Sequence, residues 1–156
     1  MVQLAAAIAA SLALVSFSAW ADFTGKVVGV ADGDSITVLR GREQVKVRLV
    51  EIDAPEMGQA FGHRSKQALE ALVKGQEVQV VERGHDKYHR TLGRVYRGDL
   101  DVNAEQVRQG MAWVFRQYSK DATLYPIEAD AKEQKRGLWR DPEPVSPWEW
   151  RKSQSH

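Results

Sequence analysis

The 156-residue sequence contains no cysteine, which excludes disulfides and thiolate metal sites and leaves cysteine usage silent about compartment. A surplus of one charge is missing as well: 22 Lys and Arg face 21 Asp and Glu, a net +1. Whole-chain charge therefore makes no case for nucleic acid or a membrane surface, and any such footprint must come from local clustering. Internal repeats and low-complexity tracts are absent. So is any Lys or Arg ahead of the apolar N-terminal run.

What is present is ordinary for one globular domain, with 43% hydrophobic and 28% charged residues on a chain long enough for a core. Residues 2–21 are uncharged and apolar in the middle, and Ala19 and Ala21 supply the two small residues of an Ala-x-Ala cleavage site. Residues 1–21 are therefore expected to be a cleaved signal peptide, which implies a secreted or periplasmic protein. An uncleaved membrane anchor is the alternative, since the segment just suffices to span a bilayer. The domain proper is expected over 22–140, followed by a tail, 141–156, that holds three prolines together with Trp148 and Trp150. The tail is too apolar to be simply disordered, and its tryptophans are expected to lie against the domain.

Strand patterns are read over 23–30, 35–40, 44–52, 76–82 and 91–97. Asp32-Gly33-Asp34 separates the first two as a hairpin turn, and Gly41-Arg42 separates the next two. A helical stripe of Ala68, Leu69, Leu72 and Val73 runs over 64–73 and ends at Lys74-Gly75. Shorter helices are expected over 103–109, closed by Gly110, and over 125–135, with Pro126 in the first turn. The fold class is α+β, mainly β: a five-stranded OB-fold barrel with three helices.

The chemistry centres on Arg48-Leu49-Val50-Glu51-Ile52-Asp53-Ala54-Pro55-Glu56. Alternation puts Val45, Val47 and Leu49 on one face, with Arg48, Val50 and Ile52 on the other. A guanidinium on a partly buried strand keeps its proton and needs an anion beside it. If the second and third strands pair, Asp34 and Asp53 converge at one end of the sheet. Two carboxylates, a backbone carbonyl and waters make a hard oxygen site that favours calcium or magnesium over zinc or copper. Taken alone, Asp32 reads more simply as a turn former and Asp34 as a strand-edge residue.

The loop 83–90 gathers Arg83, His85, Lys87, His89 and Arg90, with Arg94 and Arg97 beyond. Such clusters suit phosphate, although Arg83, Arg97 and the histidines read better as solvated charge. Tyr88 among these cations can stack a base or bond a phosphate. His85 and His89 stand four apart with no third ligand, so zinc is not expected.

Asp-Gly-Asp, Arg-Leu-Val-Glu-Ile-Asp-Ala-Pro-Glu, Asp-Lys-Tyr-His-Arg and Val-Asn-Ala-Glu-Gln-Val-Arg-Gln-Gly-Met-Ala-Trp-Val, in that order over 23–139, resemble the staphylococcal (micrococcal) nuclease family. The resemblance implies an OB barrel that cleaves phosphodiesters of DNA and RNA with Ca2+, leaving 3′-phosphate ends. It implies Asp34, Asp53 and the carbonyl of Ala54 as calcium ligands. Glu56 becomes the carboxylate on the attacking water, Arg48 the phosphate clamp, and Arg90 the stabiliser of developing charge and leaving group. Lys87, Tyr88, Arg116 and Tyr118 become substrate contacts. The chain departs from the family pattern at three positions: Ala54 replaces a threonine, His89 a glycine and Arg116 a tyrosine. No protein partner is implied, and a monomer is expected. The competing readings are a non-catalytic nucleic-acid-binding OB module and a structural domain tethered to a membrane.

Overall fold

A computed structural model describes residues 21–156. The expected signal segment lies outside the described residues except for Ala21. β-Branched and small apolar residues lay down most of the chain as strands. In chain order these are β1 (Phe23–Asp32), β2 (Ser35–Arg40), β3 (Glu43–Leu49), the short β4 (Ile52–Asp53), β5 (Glu77–His85), β6 (Thr91–Arg97), and the short β7 (Leu100–Asp101) and β8 (Trp113–Val114).

The strand order β3-β2-β1-β5-β6 is antiparallel throughout, and a parallel pairing of β3 with β6 closes it into the five-stranded barrel. The α+β, OB-type architecture is the one the strand pattern predicts. β7 extends β6, and β4 pairs separately with β8.

Among the described residues four α-helices decorate the barrel: α1 (Gly62–Val73), α2 (Val102–Arg108), α3 (Leu124–Glu133) and α4 (Pro147–Ser153). The sequence reading expects three and misses α4. The tail forms it through a capping box between Ser146 and Glu149, with Pro147 in the first turn, where its missing N–H costs nothing. As expected, the tail tryptophans lie on the domain. Trp148 stacks on Phe115 with centroids 5.6 Å apart, and meets Trp113 edge-on, also at 5.6 Å.

The core is drawn from the inward faces of the barrel: Val27, Val38, Val47, Leu49, Val80 and Val95 are all buried, with Leu69 and Val73 of α1 and Val107 of α2 above them. The alternation in β3 holds through Leu49 and then fails. Ile52, expected on the Arg48 face, is fully buried in the core. The cause is Glu51, whose φ of 67° breaks the strand after Val50 and turns the chain inward. Buried Asn103 holds this bend. Its Nδ2 donates to the carbonyls of Val50 (2.9 Å) and Gly93 (3.3 Å), while its Oδ1 accepts from the Val95 amide.

The β1–β2 turn is pressed onto α1. A Cβ at Gly33 would stand 1.8 Å from Ser65 Oγ and 2.8 Å from Ala54 Cβ. Gln106 Nε2 pins the turn from α2 by donating to Gly33 O (2.8 Å) and Ser65 O (3.2 Å). Gly33→Ala is therefore expected to lose about 1–3 kcal/mol of stability, read from the urea midpoint, because neither neighbour can withdraw without breaking a buried hydrogen bond.

Candidate active site

Each acidic side chain arrives from a different rigid device. Asp34 leaves an Asx turn in which Asp32 Oδ1 accepts from its amide (3.0 Å). Asp53 closes β4, and Glu56 follows Pro55 in the loop into α1. The amide of Ala54 donates to Asp34 Oδ2 at 2.6 Å, tying the first turn to the end of β4.

Arg48, projecting outward from β3, joins the two aspartates. Its Nη2 lies 3.1 Å from Asp53 Oδ1 and 3.2 Å from Asp34 Oδ2, and Nη1 donates to the carbonyls of Leu49 and Ile52. The guanidinium is thus oriented by at least three independent acceptors and buried to 14% exposure. Burial pushes the Asp34 carboxyl up to about 8 despite the opposing pull of Arg48.

Arg90 comes from the turn between β5 and β6. The amides of Tyr88 and Arg90 donate to Asp86 Oδ1, and Arg90 Nε donates to Asp86 Oδ2 at 2.7 Å. Burial works against ionisation of Asp86, yet these hydrogen bonds hold its carboxyl below the usual range. The glycine-to-histidine departure leaves the turn intact, because His89 itself takes the left-handed conformation, φ 62°. From this mount Arg90 Nη1 reaches within 3.4 Å of Ser35 Oγ, which in turn lies 3.4 Å from Asp34 Oδ1. Arg48 and Arg90 therefore flank Asp34 from β3 and from the turn before β6.

The residues expected to contact substrate divide. Tyr88 is 66% exposed, with Lys87 Nζ 5.1 Å and Arg90 5.7 Å from its ring centroid. It overlooks a groove that Lys46, His85 and His89 also line. Tyr118 is exposed and packs edge-on against Phe115, just past the strand that pairs with β4. Arg116 is turned to α3: it bonds Glu128 Oε1 at 2.7 Å and lies over the Tyr125 ring, and the structure does not bring it onto the carboxylates.

Arg94, counted with the basic loop in sequence, belongs elsewhere. It is buried among Asp101, Glu51 and Asp121 at 2.6, 2.7 and 3.1 Å, an ion cage beneath the bend that carries Asp53. Sequence reasoning also misses Arg151. From α4 its Nη2 lies 2.8 Å from Asp53 Oδ2, and its Nη1 lies 2.8 Å from Glu56 Oε1. The Ser-Pro-Trp-Glu cap was the available sign of a helix there; nothing local pointed to its contact.

Among the described residues no group of three or more His, Asp or Glu side chains gathers as a ready metal cluster. The donors at hand are the carboxylates of Asp34 and Asp53, all oxygen, with the backbone of Ala54 between them. A hard divalent cation fits this set, and the buried Asp34 carboxyl is the group that such an ion would relieve.

Residues 46–141 match the family described as Staphylococcal nuclease homologue. A micrococcal nuclease of Shigella flexneri is 48% identical over 98% of this chain and 94% of its own length. An uncharacterized endonuclease of Escherichia coli O157:H7 is 48% identical over 84% of this chain and 86% of its own. Protein ParB of Escherichia coli is 42% identical over 99% and 93%. With the five-stranded barrel closed around this arrangement, and with a match of that extent, the chain belongs to the staphylococcal nuclease family.

Proposed function

We propose that the protein is an exported, calcium-dependent endonuclease that hydrolyses phosphodiester bonds of DNA and RNA with little sequence preference, leaving 3′-phosphate ends and acting as a monomer. The nuclease class rests on the family and on the names that its relatives carry. Export rests on the apolar, uncharged run 2–21 with Ala19 and Ala21 at its end. The observation that supports the chemistry is Arg48 held between Asp34 and Asp53, with Arg90 reaching Ser35 next to Asp34.

A phosphodiester under attack becomes a crowded, doubly negative centre. Groups that stabilise this charge more than the ground state accelerate the reaction. Arg48 presents a planar fork suited to two phosphate oxygens, and Arg90 faces the departing oxygen and takes up its charge. Glu56, one-third exposed beside Asp53, orients the water that attacks phosphorus. As the phosphorus–oxygen bond to the 5′ side breaks, the phosphate remains on the 3′ side. Asp34, Asp53 and the Ala54 carbonyl would hold calcium, which when bound adds positive charge and lowers the pKa of water near it. Exposed Tyr88, with Lys87 beside it, offers a stacking and charge platform at the edge of the groove.

The test is a zymogram on single- and double-stranded DNA and on RNA, with calcium, magnesium or chelator, run beside thermal denaturation. Cutting is expected with calcium and lost in chelator. Calcium at one hundred times its dissociation constant should stabilise the fold by about 2.7 kcal/mol. Equal cutting in chelator, by protein that stays folded, would end the calcium reading.

A further inference from the structure

Glu56 sits in a loop, and a carboxylate on a loop is a poor guide for water unless something holds it. Among the described residues, the side chain that does so is Arg151. One face of its guanidinium meets Glu56 Oε1 at 2.8 Å. The other meets Asp53 Oδ2 at 2.8 Å, with Nη1 a further 3.3 Å from Asp53 Oδ1. The bridge spans a loop carboxylate that is one-third exposed and a nearly buried one, so it ties Glu56 to the end of β4.

α4 is itself well anchored. Ser146 is buried and caps the helix. Trp148 is stacked on Phe115. Gln59 ties the two segments together: its Oε1 accepts from the Glu56 amide at 3.1 Å, and its Nε2 donates to Val145 O at 2.7 Å. The tail and the Glu56 loop are thus tied together, with Arg151 at the point where they reach Asp53.

We propose that Arg151 is a positioning residue of the nuclease reaction: by bridging Asp53 and Glu56 it sets the orientation of the Glu56 carboxylate toward the attacking water. The proposal rests on the calcium-nuclease reading above. It carries a second consequence of opposite sign. A guanidinium on Asp53 competes electrostatically with a divalent ion at the same carboxylate. Loss of Arg151 therefore tightens calcium while slowing turnover.

The experiment compares Arg151→Gln and Arg151→Lys with the unaltered protein and with Lys152→Ala, an exposed change on the same helix. Calcium affinity is read by calorimetry without substrate, and kcat and KM on DNA at saturating calcium. For Arg151→Gln, kcat is expected to fall about 10–100-fold, the usual effect of losing a group that orients a ligand in a metal site. KM should hold within about twofold, and calcium should bind several-fold more tightly. Arg151→Lys should recover part of kcat, and Lys152→Ala should change none of these quantities.

Tighter calcium with unchanged or faster turnover would make the contact a latch and overturn the positioning role. A rise in KM as large as the fall in kcat/KM would make Arg151 a substrate contact, also against the proposal. A large fall in Tm that lysine does not repair, with calcium affinity unmoved, would reduce it to a structural tie. Failure of the underlying reading shows separately, as absence of calcium binding or chelator-resistant cutting in the unaltered protein, and the proposal falls with it.

Discussion

Replacing Arg48 by lysine is expected to lower kcat by about 10²–10³-fold, the range seen when one charge-stabilising donor is removed from a preorganised site. Lysine keeps the positive charge, so the two aspartates remain compensated, but a point charge cannot reproduce a fork. Arg48 reaches Asp34 and Asp53 with one nitrogen and the carbonyls of Leu49 and Ile52 with the other. A single ammonium serves some of these partners and presents no planar pair of N–H groups to phosphate. Stability should fall by only about 1–2 kcal/mol for the lost hydrogen bonds. Circular dichroism and a denaturant titration check that the protein is folded while single-turnover kinetics record the loss. Turnover within about threefold of the parent protein would remove Arg48 from the chemistry.

The largest stability effect is expected at Arg94. Arg94→Ala should cost about 3–5 kcal/mol, because it strands three carboxylates around an emptied, largely buried space. Asp101 accepts from both Nε and Nη2, Glu51 from Nη1, and Asp121 lies 3.1 Å from Nη2. Glu51 is also the residue at positive φ that turns the chain into β4. The same substitution should therefore loosen the approach to Asp53 and weaken calcium binding in protein that remains folded. Urea unfolding measures the first effect and calorimetry the second. A midpoint close to that of the parent would show that the cage relaxes by admitting water.

Much of the barrel was legible because local chemistry and tertiary need agree there. Asp-Gly marks the first hairpin, period-two apolar residues mark β3, and Thr91–Arg97 emerges as a strand with the bounds its pattern predicts. Where they diverge, the one-dimensional reading slips. The run through Ile52 looks like one strand because no Gly or Pro marks the break at Glu51. The bend is held instead by Asn103, a third of the chain away and invisible to any window.

Arg94 was grouped with Arg90 because they are close in sequence. Arg90 closes the turn before β6, whereas Arg94 lies within β6, which carries it down toward Glu51, Asp101 and Asp121. The tail shows both sides: its tryptophans announced contact with the domain, whereas the helix that its capping box starts was missed. The arrival of Arg151 on Asp53 and Glu56 depends on tertiary packing alone. Arg116 has a partner that its position in sequence does not reveal, Glu128 on α3, which takes its Nη2.

The parallel seam between β3 and β6 pairs Val47 with Thr91 and Arg48 with Leu92, so Arg90 stands one residue before the stitch and Arg48 within it. The two cations proposed to face phosphate are consequently brought into register by the very contact that turns a curved sheet into a cylinder. Unzipping that edge, even with every helix still wound, would leave a folded-looking molecule unable to cut. Amide exchange at Val50, whose N–H donates to Gly93 O across that edge at 3.0 Å, should then track the loss of catalysis more closely than overall helicity does.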